Sequence, residues 1–278
     1  MKVMISVDME GIPDIFHTGG DARSEPKYQE GRLTMTRCAS LFAEEYHRAG
    51  VEEIVVEDAH GDMTNLLYKE MPPFVRLVKG GIRPLDMVYG VDGSFNGIAL
   101  IGYHSAAGIA HSSFDHTYDG DSFHRILVNG EAASEYLLCS LVAGESGVPV
   151  ILVAGDDKLK GDVVSRTPWA EYVQLKESSG YWSSAYDSLE SLRPGVSRAV
   201  SSSVKKLSGG GARPLNMGSR LEFTFEMKRS VYADVGEMLP GVERTDGYTL
   251  KFRTSSASDG FRMMQILSYC SMGVESSL

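Results

Sequence analysis

The sequence predicts an α/β protein, with a mostly parallel sheet covered by helices and a smaller C-terminal α/β portion. Three observations carry that reading. Continuous apolar runs alternate with helical segments through the first half, the pattern of strands buried on both faces by helices. A stretch rich in Ser and Gly, "SSSVKKLSGGGARPLNMGS", then interrupts the chain and reads as a flexible connection. Beyond it comes a strand–helix–strand–helix set of different texture. This divides the chain into a main domain at 1–205 and a smaller α/β portion at 206–278.

"KVMISVD" is the first strand. "YQEGRLTMTRCASLFAEEYHRAG" carries a helix from about Gly31 to Arg48, with Gly50 as its stop. "VEEIVVEDAH" is the next strand, with Ile54-Val55-Val56 as its buried run. "NGIALIGYH" and "VPVILVAGDD" are two more, and "EAASEYLLCSLVAGESG" is a helix ending in Gly147. Past the connection, "LEFTFEM" alternates and reads as a half-exposed strand. "SVYADVGEMLP" is an amphipathic helix, "YTLKFRT" a strand and "DGFRMMQILSYC" the last helix. No repeats or heptads appear.

With 278 residues, 42% of them hydrophobic, the chain can bury a sizeable core. A net charge of −10 disfavours nucleic acid and anionic membrane as partners. No apolar run reaches the roughly 18 residues of a membrane span. The sequence opens directly on a strand pattern, without the layout of a signal peptide. Cys38, Cys139 and Cys270 are far apart, in apolar contexts and without a C-x-x-C pair, which reads as reduced core residues. The expectation is a cytoplasmic protein. No G-x-G-x-x-G or P-loop follows the first strand, which disfavours nucleotide binding.

Chemistry gathers at the strand ends. Asp8 and Glu10 are two apart, so on a strand they share a face. Like charges placed so repel unless a cation lies between them; the plain alternative is a hydrated strand end. The second strand ends in Glu57-Asp58-Ala59-His60-Gly61, and "ALIGYH" ends in His104. In a parallel sheet such ends lie on one edge, where ligands collect. Carboxylates and imidazoles together suit zinc, or manganese and other borderline cations.

Seven motifs follow in order: "SVDMEGI", "YxxGRxxMT" from Tyr28 to Thr36, "EDAHGDMTN" at 57–65, "GYH" with Gly108 following, "FDHTYDG" at 114–120, "VNGEAASE" at 128–135 and "VAGDD" at 153–157. In this order and spacing the sequence resembles the DppA-type D-aminopeptidases, a family of zinc metallopeptidases, over most of the chain. The resemblance implies two zinc ions held within 1–205 by Asp8, Glu10, His60, His104 and Glu135, with Asp8 as the bridging ligand. Glu131 competes with Glu135, and the family motif places the ligand at the later acid. Gly11 would let the backbone turn away without crowding the ions. The resemblance also implies a catalytic role for His116, with His111 as its rival.

The implied activity is release of N-terminal D-amino acids from short peptides. The substrate's α-amino group would bind a metal or a carboxylate such as Asp58 or Asp115. The implied assembly is a ring-shaped homo-oligomer, with 206–278 as a contact surface. Two departures from the family stand out: Ser105-Ala106-Ala107 replaces an arginine after "GYH", and Ile12 to Pro26 is atypical, with His17 and a Gly19-Gly20 pair. His17, His47 and His124 read as surface or structural. The alternatives are a dinuclear-metal hydrolase of another amide or ester, and a metal-binding module without turnover.

Overall fold

The computed structural model describes residues 1–15 and 26–277. In chain order the elements are β1 (Lys2–Val7), α1 (Pro26–Arg48), β2 (Glu53–Asp58), β3 (Val75–Val78), β4 (Gly97–Tyr103), β5 (Phe123–Val128), β6 (Glu131–Ala132), α2 (Glu135–Glu145), β7 (Val150–Asp156), α3 (Lys160–Arg166), β8 (Glu171–Gly180), β9 (Ser183–Ala185), α4 (Leu189–Ser208), β10 (Leu221–Met227), α5 (Ser230–Gly236), β11 (Val242–Arg244), β12 (Thr249–Thr254) and α6 (Ala257–Glu275). Among the described residues the strands form two sheets. The larger has the order β3-β2-β1-β4-β7-β8-β9. Its neighbours are parallel except for the β8–β9 hairpin.

β1, β4 and β7 lie in the middle and are buried on both faces, as their continuous apolar runs require. Val3, Ile5 and Val7 face a core shared with α1 and α4, whereas Met4 faces one shared with α2, α5, α6 and the smaller sheet. That smaller sheet is antiparallel, in the order β11-β12-β10-β5-β6. β5 and β6 come from 123–132; β6 pairs with β5, and β5 pairs with β10 across the whole intervening chain. The smaller sheet is thus built from both 1–205 and 206–278. No helix among the described residues is long and apolar enough to cross a membrane.

Several boundaries differ from the sequence reading: α5 stops at Gly236 and α6 runs from Ala257 to Glu275, past the stretch read as helix at both ends. α1 begins at Pro26 and so gains more than a turn ahead of Gly31. α4 runs on to Ser208, so "SSSVKKLS" is helix and the irregular connection is confined to 209–220. Serine content argues for a loop, but Val196, Val200 and Ser203 make one buried stripe, and burial outweighs propensity. Ser203 also meets Tyr46 of α1, Oγ to hydroxyl 3.3 Å.

The strand ends crowd one another. A Cβ on Gly102 would lie 2.2 Å from the carbonyl oxygen of Asp8, and one on Gly155 would lie 1.9 Å from that of Tyr103. Gly102 also has φ +78°, a conformation that costs other residues strain. Glycine at these positions brings β1, β4 and β7 close enough for their terminal side chains to converge.

Candidate metal centre

Asp8 and Glu10 leave the end of β1, and both are buried, 2% and 3% exposed. His60 sits in the loop after β2. That loop is organised by Asp58, whose carboxylate accepts the N–H groups of Asn65 and Leu66, each at 2.6 Å. Asn65 in turn donates from Nδ2 to the His60 carbonyl at 2.6 Å. The loop is braced from α1: Tyr28 donates to Asn65 Oδ1 (2.6 Å), Arg32 Nε to the Asn65 carbonyl (3.0 Å), and Thr36 Oγ1 accepts from Leu67 N–H (3.0 Å). The "YxxGRxxMT" residues therefore support a site residue rather than the site itself.

His104 follows β4. Its Nδ1 lies 2.9 Å from the Ser105 carbonyl; a carbonyl only accepts, so Nδ1 carries the proton and Nε2 faces inward. Glu135 is the first residue of α2, behind the Ser134 cap, and its Oε1 accepts Tyr118 N–H at 2.6 Å. His116 lies on the loop that crosses β7 and β8. Its Nδ1 donates to the Phe114 carbonyl at 2.6 Å, which turns Nε2 toward Glu10 Oε1 (3.9 Å) and Glu135 Oε1 (3.7 Å).

All six residues meet at one place. His60 Nδ1 is 2.9 Å from Glu10 Oε2 and 3.5 Å from Asp8 Oδ1. His104 Nε2 is 3.7 Å from Asp8 Oδ2 and 3.6 Å from Glu135 Oε1. The His104 and His116 rings stack with centroids 4.5 Å apart. Donor atoms of Asp8, Glu10 and His104, and separately of His104, His116 and Glu135, lie within 4.8 Å of one another.

Other candidates fall away from this point. His111 is exposed, with φ +59°. Glu131 lies exposed in β6 and pairs with Arg166 at 2.7 Å. Asp58 has its carboxylate taken by the loop it organises, and Asp115 Oδ2 accepts Gly108 N–H at 2.8 Å. In place of an arginine after "GYH", Ser105 Oγ meets Ser112 Oγ at 2.6 Å. His47 stacks on Phe74, and His124 is exposed on β5. His17, Gly19 and Gly20 lie outside the described residues. Two neighbours were not singled out from the sequence: Tyr118, whose N–H holds Glu135, and Lys176, buried on β8. A single lysine in "VQLKESSG" carries the pattern of an ordinary solvent-facing strand position, and Tyr118 acts through its backbone, which no side-chain motif encodes.

Burial, together with the charge of Glu10, pushes the Asp8 carboxyl well above the ordinary range. Burial also opposes ionisation of Glu10, but the adjacent His60 outweighs it and holds Glu10 well below. Glu135 is lowered against its burial by His104. The imidazoles respond in kind: burial would lower both, yet Glu10 and Asp8 raise His60 well above 6.5, and Glu135 and Asp8 raise His104 to about 10. These groups satisfy one another only in part. Asp8 Oδ2 and His104 Nε2 are buried with no hydrogen-bond partner, and they face each other at a separation too long for a hydrogen bond. Orphaned buried polar atoms cost about 1–3 kcal/mol each. A cation accepting lone pairs from both would remove that cost, and the carboxylate and imidazole donor set fits zinc.

Comparison with known proteins agrees with this chemistry. The profile of a family described as D-aminopeptidase matches residues 1–266. A D-aminopeptidase of Bacillus subtilis (strain 168) is 28% identical over 280 residues, covering 98% of each chain. A solved structure, that of the Zn-dependent D-aminopeptidase DppA from Bacillus subtilis, a self-compartmentalizing protease, superposes with a TM-score of 0.88 at 26% identity, again over 98% of each chain.

Proposed function

The chain belongs to the D-aminopeptidase family, and from that premise we propose that it is a zinc-dependent aminopeptidase releasing N-terminal D-amino acids from short peptides. The observation that carries this reading is the buried convergence of three carboxylates and three imidazoles, with Asp8 Oδ2 and His104 Nε2 left without partners. Asp8, Glu10, His60, His104 and Glu135 are the residues that would hold two zinc ions. When bound, the zinc ions supply Lewis acidity, which lowers the pKa of a water molecule and polarises the scissile carbonyl.

The remaining work falls to the chain. Asp8, Glu10 and Glu135 supply the negative charge that would balance the cations in this buried place. His116 keeps its Nδ1 proton on the Phe114 carbonyl and presents Nε2 to the space above Glu10 and Glu135. There it can hold a proton against the carbonyl oxygen as charge builds, or hand one to the leaving amine. The substrate's α-ammonium would bind a metal or a carboxylate of the cluster itself, because Asp58 and Asp115 are each committed to their own loops.

The stack on His104 and the grouping with Glu135 favour a second reading, in which His116 is itself a ligand. Metal analysis of His116→Ala separates the two. The function as a whole is tested by elemental analysis of the purified protein, followed by a panel of D- and L-aminoacyl p-nitroanilides and short peptides. Absence of transition metal after reconstitution would remove the metal reading. Release of L-residues alone would remove the stereochemical one. Hydrolysis of other amides or esters in place of peptides, or metal binding without turnover, would favour the corresponding alternative.

A further inference from the structure

The loop that carries His116 is fastened to β7, β8 and the turn after β8 at three successive residues. Ser112 Oγ donates to Asp156 Oδ2 at 3.2 Å, Ser113 Oγ meets Ser178 Oγ at 3.0 Å, and Phe114 N–H donates to the Tyr181 carbonyl at 3.1 Å. Phe114 has φ +52°, a conformation that a bulky residue keeps only when its surroundings impose it. Its carbonyl is the acceptor for His116 Nδ1. The direction of the imidazole therefore depends on the placement of Phe114.

Lys176 lies beneath this loop. It is aligned with Asp156 in the β7–β8 register, is 2% exposed, and its Nζ has no hydrogen-bond partner. The ammonium stands 5.4 Å from the centroid of the Phe114 ring, within the range of a cation–π contact. The acidic groups whose charge reaches it are Asp156, Glu10 and Asp8. A buried cation without hydrogen bonds is costly, and an apolar side chain of similar length would fill the space at lower cost. A chain that keeps such a charge beside its reaction centre gives up stability for some other gain.

We propose that Lys176 is a positioning residue for the reaction: from below, its ammonium fixes the ring of Phe114 and, through the Phe114 carbonyl, the imidazole of His116 over the centre. The inference rests on the reading that His116 acts on the substrate, and it adds the residue that aims it. The ammonium itself is buried. It acts on the ring face on one side, with the carboxylates of Asp156, Glu10 and Asp8 balancing its charge.

The test uses zinc-loaded protein, D-alanyl p-nitroanilide as substrate, and the variants Lys176→Met, Phe114→Leu and their double. Lys176→Met is expected to melt at a temperature equal to or a few degrees above the wild type, because a buried ammonium without hydrogen bonds is gone. Its zinc content should not change, and kcat should fall about tenfold at unchanged KM. Phe114→Leu removes the ring face from the other side and should lower kcat similarly. The double variant should fall no further than the worse single one, since both act along one path. A crystal structure of Lys176→Met should show the His116 imidazole displaced from the Phe114 carbonyl.

A residue that merely supports the fold would lower melting temperature and kcat together, and that outcome overturns the proposal. So does a kcat within twofold of wild type, a multiplicative double variant, loss of zinc, or an imidazole that has not moved. If His116→Ala leaves turnover intact, the catalytic reading of His116 fails and the role of Lys176 in the reaction fails with it; if His116→Ala lowers kcat while Lys176→Met leaves kcat and the imidazole unchanged, the proposal alone fails.

Discussion

Glu10 and Glu135 stay ionised where burial alone would neutralise them, and His60 and His104 hold protons well above neutral pH to keep them so. A metal ligand must be a neutral imidazole. In the metal-free chain His104 titrates at about 10 and is protonated at pH 7.5, so cation uptake must expel that proton. Zinc binding at pH 7.5 is therefore expected to release at least one proton per chain, and apparent affinity should rise with pH until about 10 and level off above. Proton release into weakly buffered solution measures it directly, and uptake without release would mean that His104 is no ligand. His116 behaves differently if it acts on the substrate alone. His116→Ala should then lower kcat by roughly a hundredfold with zinc content unchanged, while His60→Ala or His104→Ala should lose zinc and activity together. His111→Ala, at an exposed position away from the cluster, is the mild control. Zinc loss in His116→Ala would place that residue among the ligands.

The elements set these side chains through turns as much as through strands. Asp58 closes β2 and accepts two backbone N–H groups of the His60 loop. Asp58→Ala leaves both buried donors unmet at about 1–3 kcal/mol each, so it should lower unfolding free energy by roughly 3 kcal/mol in urea titration and reduce zinc content with it; Asp58→Asn should be milder. Glycines give a second contrast. Gly50 and Gly102 both have positive φ, but a Cβ at Gly50 meets open space and one at Gly102 meets the Asp8 carbonyl. Gly50→Ala should cost only the left-handed strain, about 1–2 kcal/mol, and keep its zinc. Gly102→Ala should displace Asp8 and lose the metal; equal zinc content in the two would break the argument. The strands that carry Asp8, His60 and His104 were legible because central parallel strands must be apolar throughout, and their polar ends stand out against that run. β8 and β9 were not, since an alternating edge hairpin such as "VQLKESSG" resembles many surface stretches. The same ambiguity hid Lys176. Within the candidate site, Glu135 could be told from Glu131 only by the family motif, whereas in the fold Ser134 caps α2 and leaves Glu131 in a separate strand.

At the scale of the whole molecule, pairing across long sequence separations decides the shape, and a sequence pattern carries little of it. β10 joins β5 about a hundred residues upstream, so the smaller sheet could not be read as a composite from local signals. We propose that this composite portion is also where copies of the chain meet. The centre opens beside His116, whose side chain is 20% exposed, and a lone subunit would offer that opening to any chain end. A homo-oligomer, with the ring shape that the sequence resemblance implies, would screen it from folded proteins and admit short peptides. Within 206–278, Met238 and Met272 are 76% and 58% exposed, and Tyr248 is 54% exposed, apolar surface of the kind that marks contact sites when it clusters. Light scattering at micromolar concentration is expected to give a multiple of the 30.3 kDa chain mass. Met238→Glu and Met272→Glu, made together, should lower that mass with zinc per chain retained, because neither side chain is near the cluster in sequence or exposure. The dissociated variant should then gain activity on the N-termini of larger polypeptides that the assembled enzyme excludes. A wild-type mass of one chain would sink the screening argument, and an unchanged mass in the double variant would move the contact surface away from 206–278.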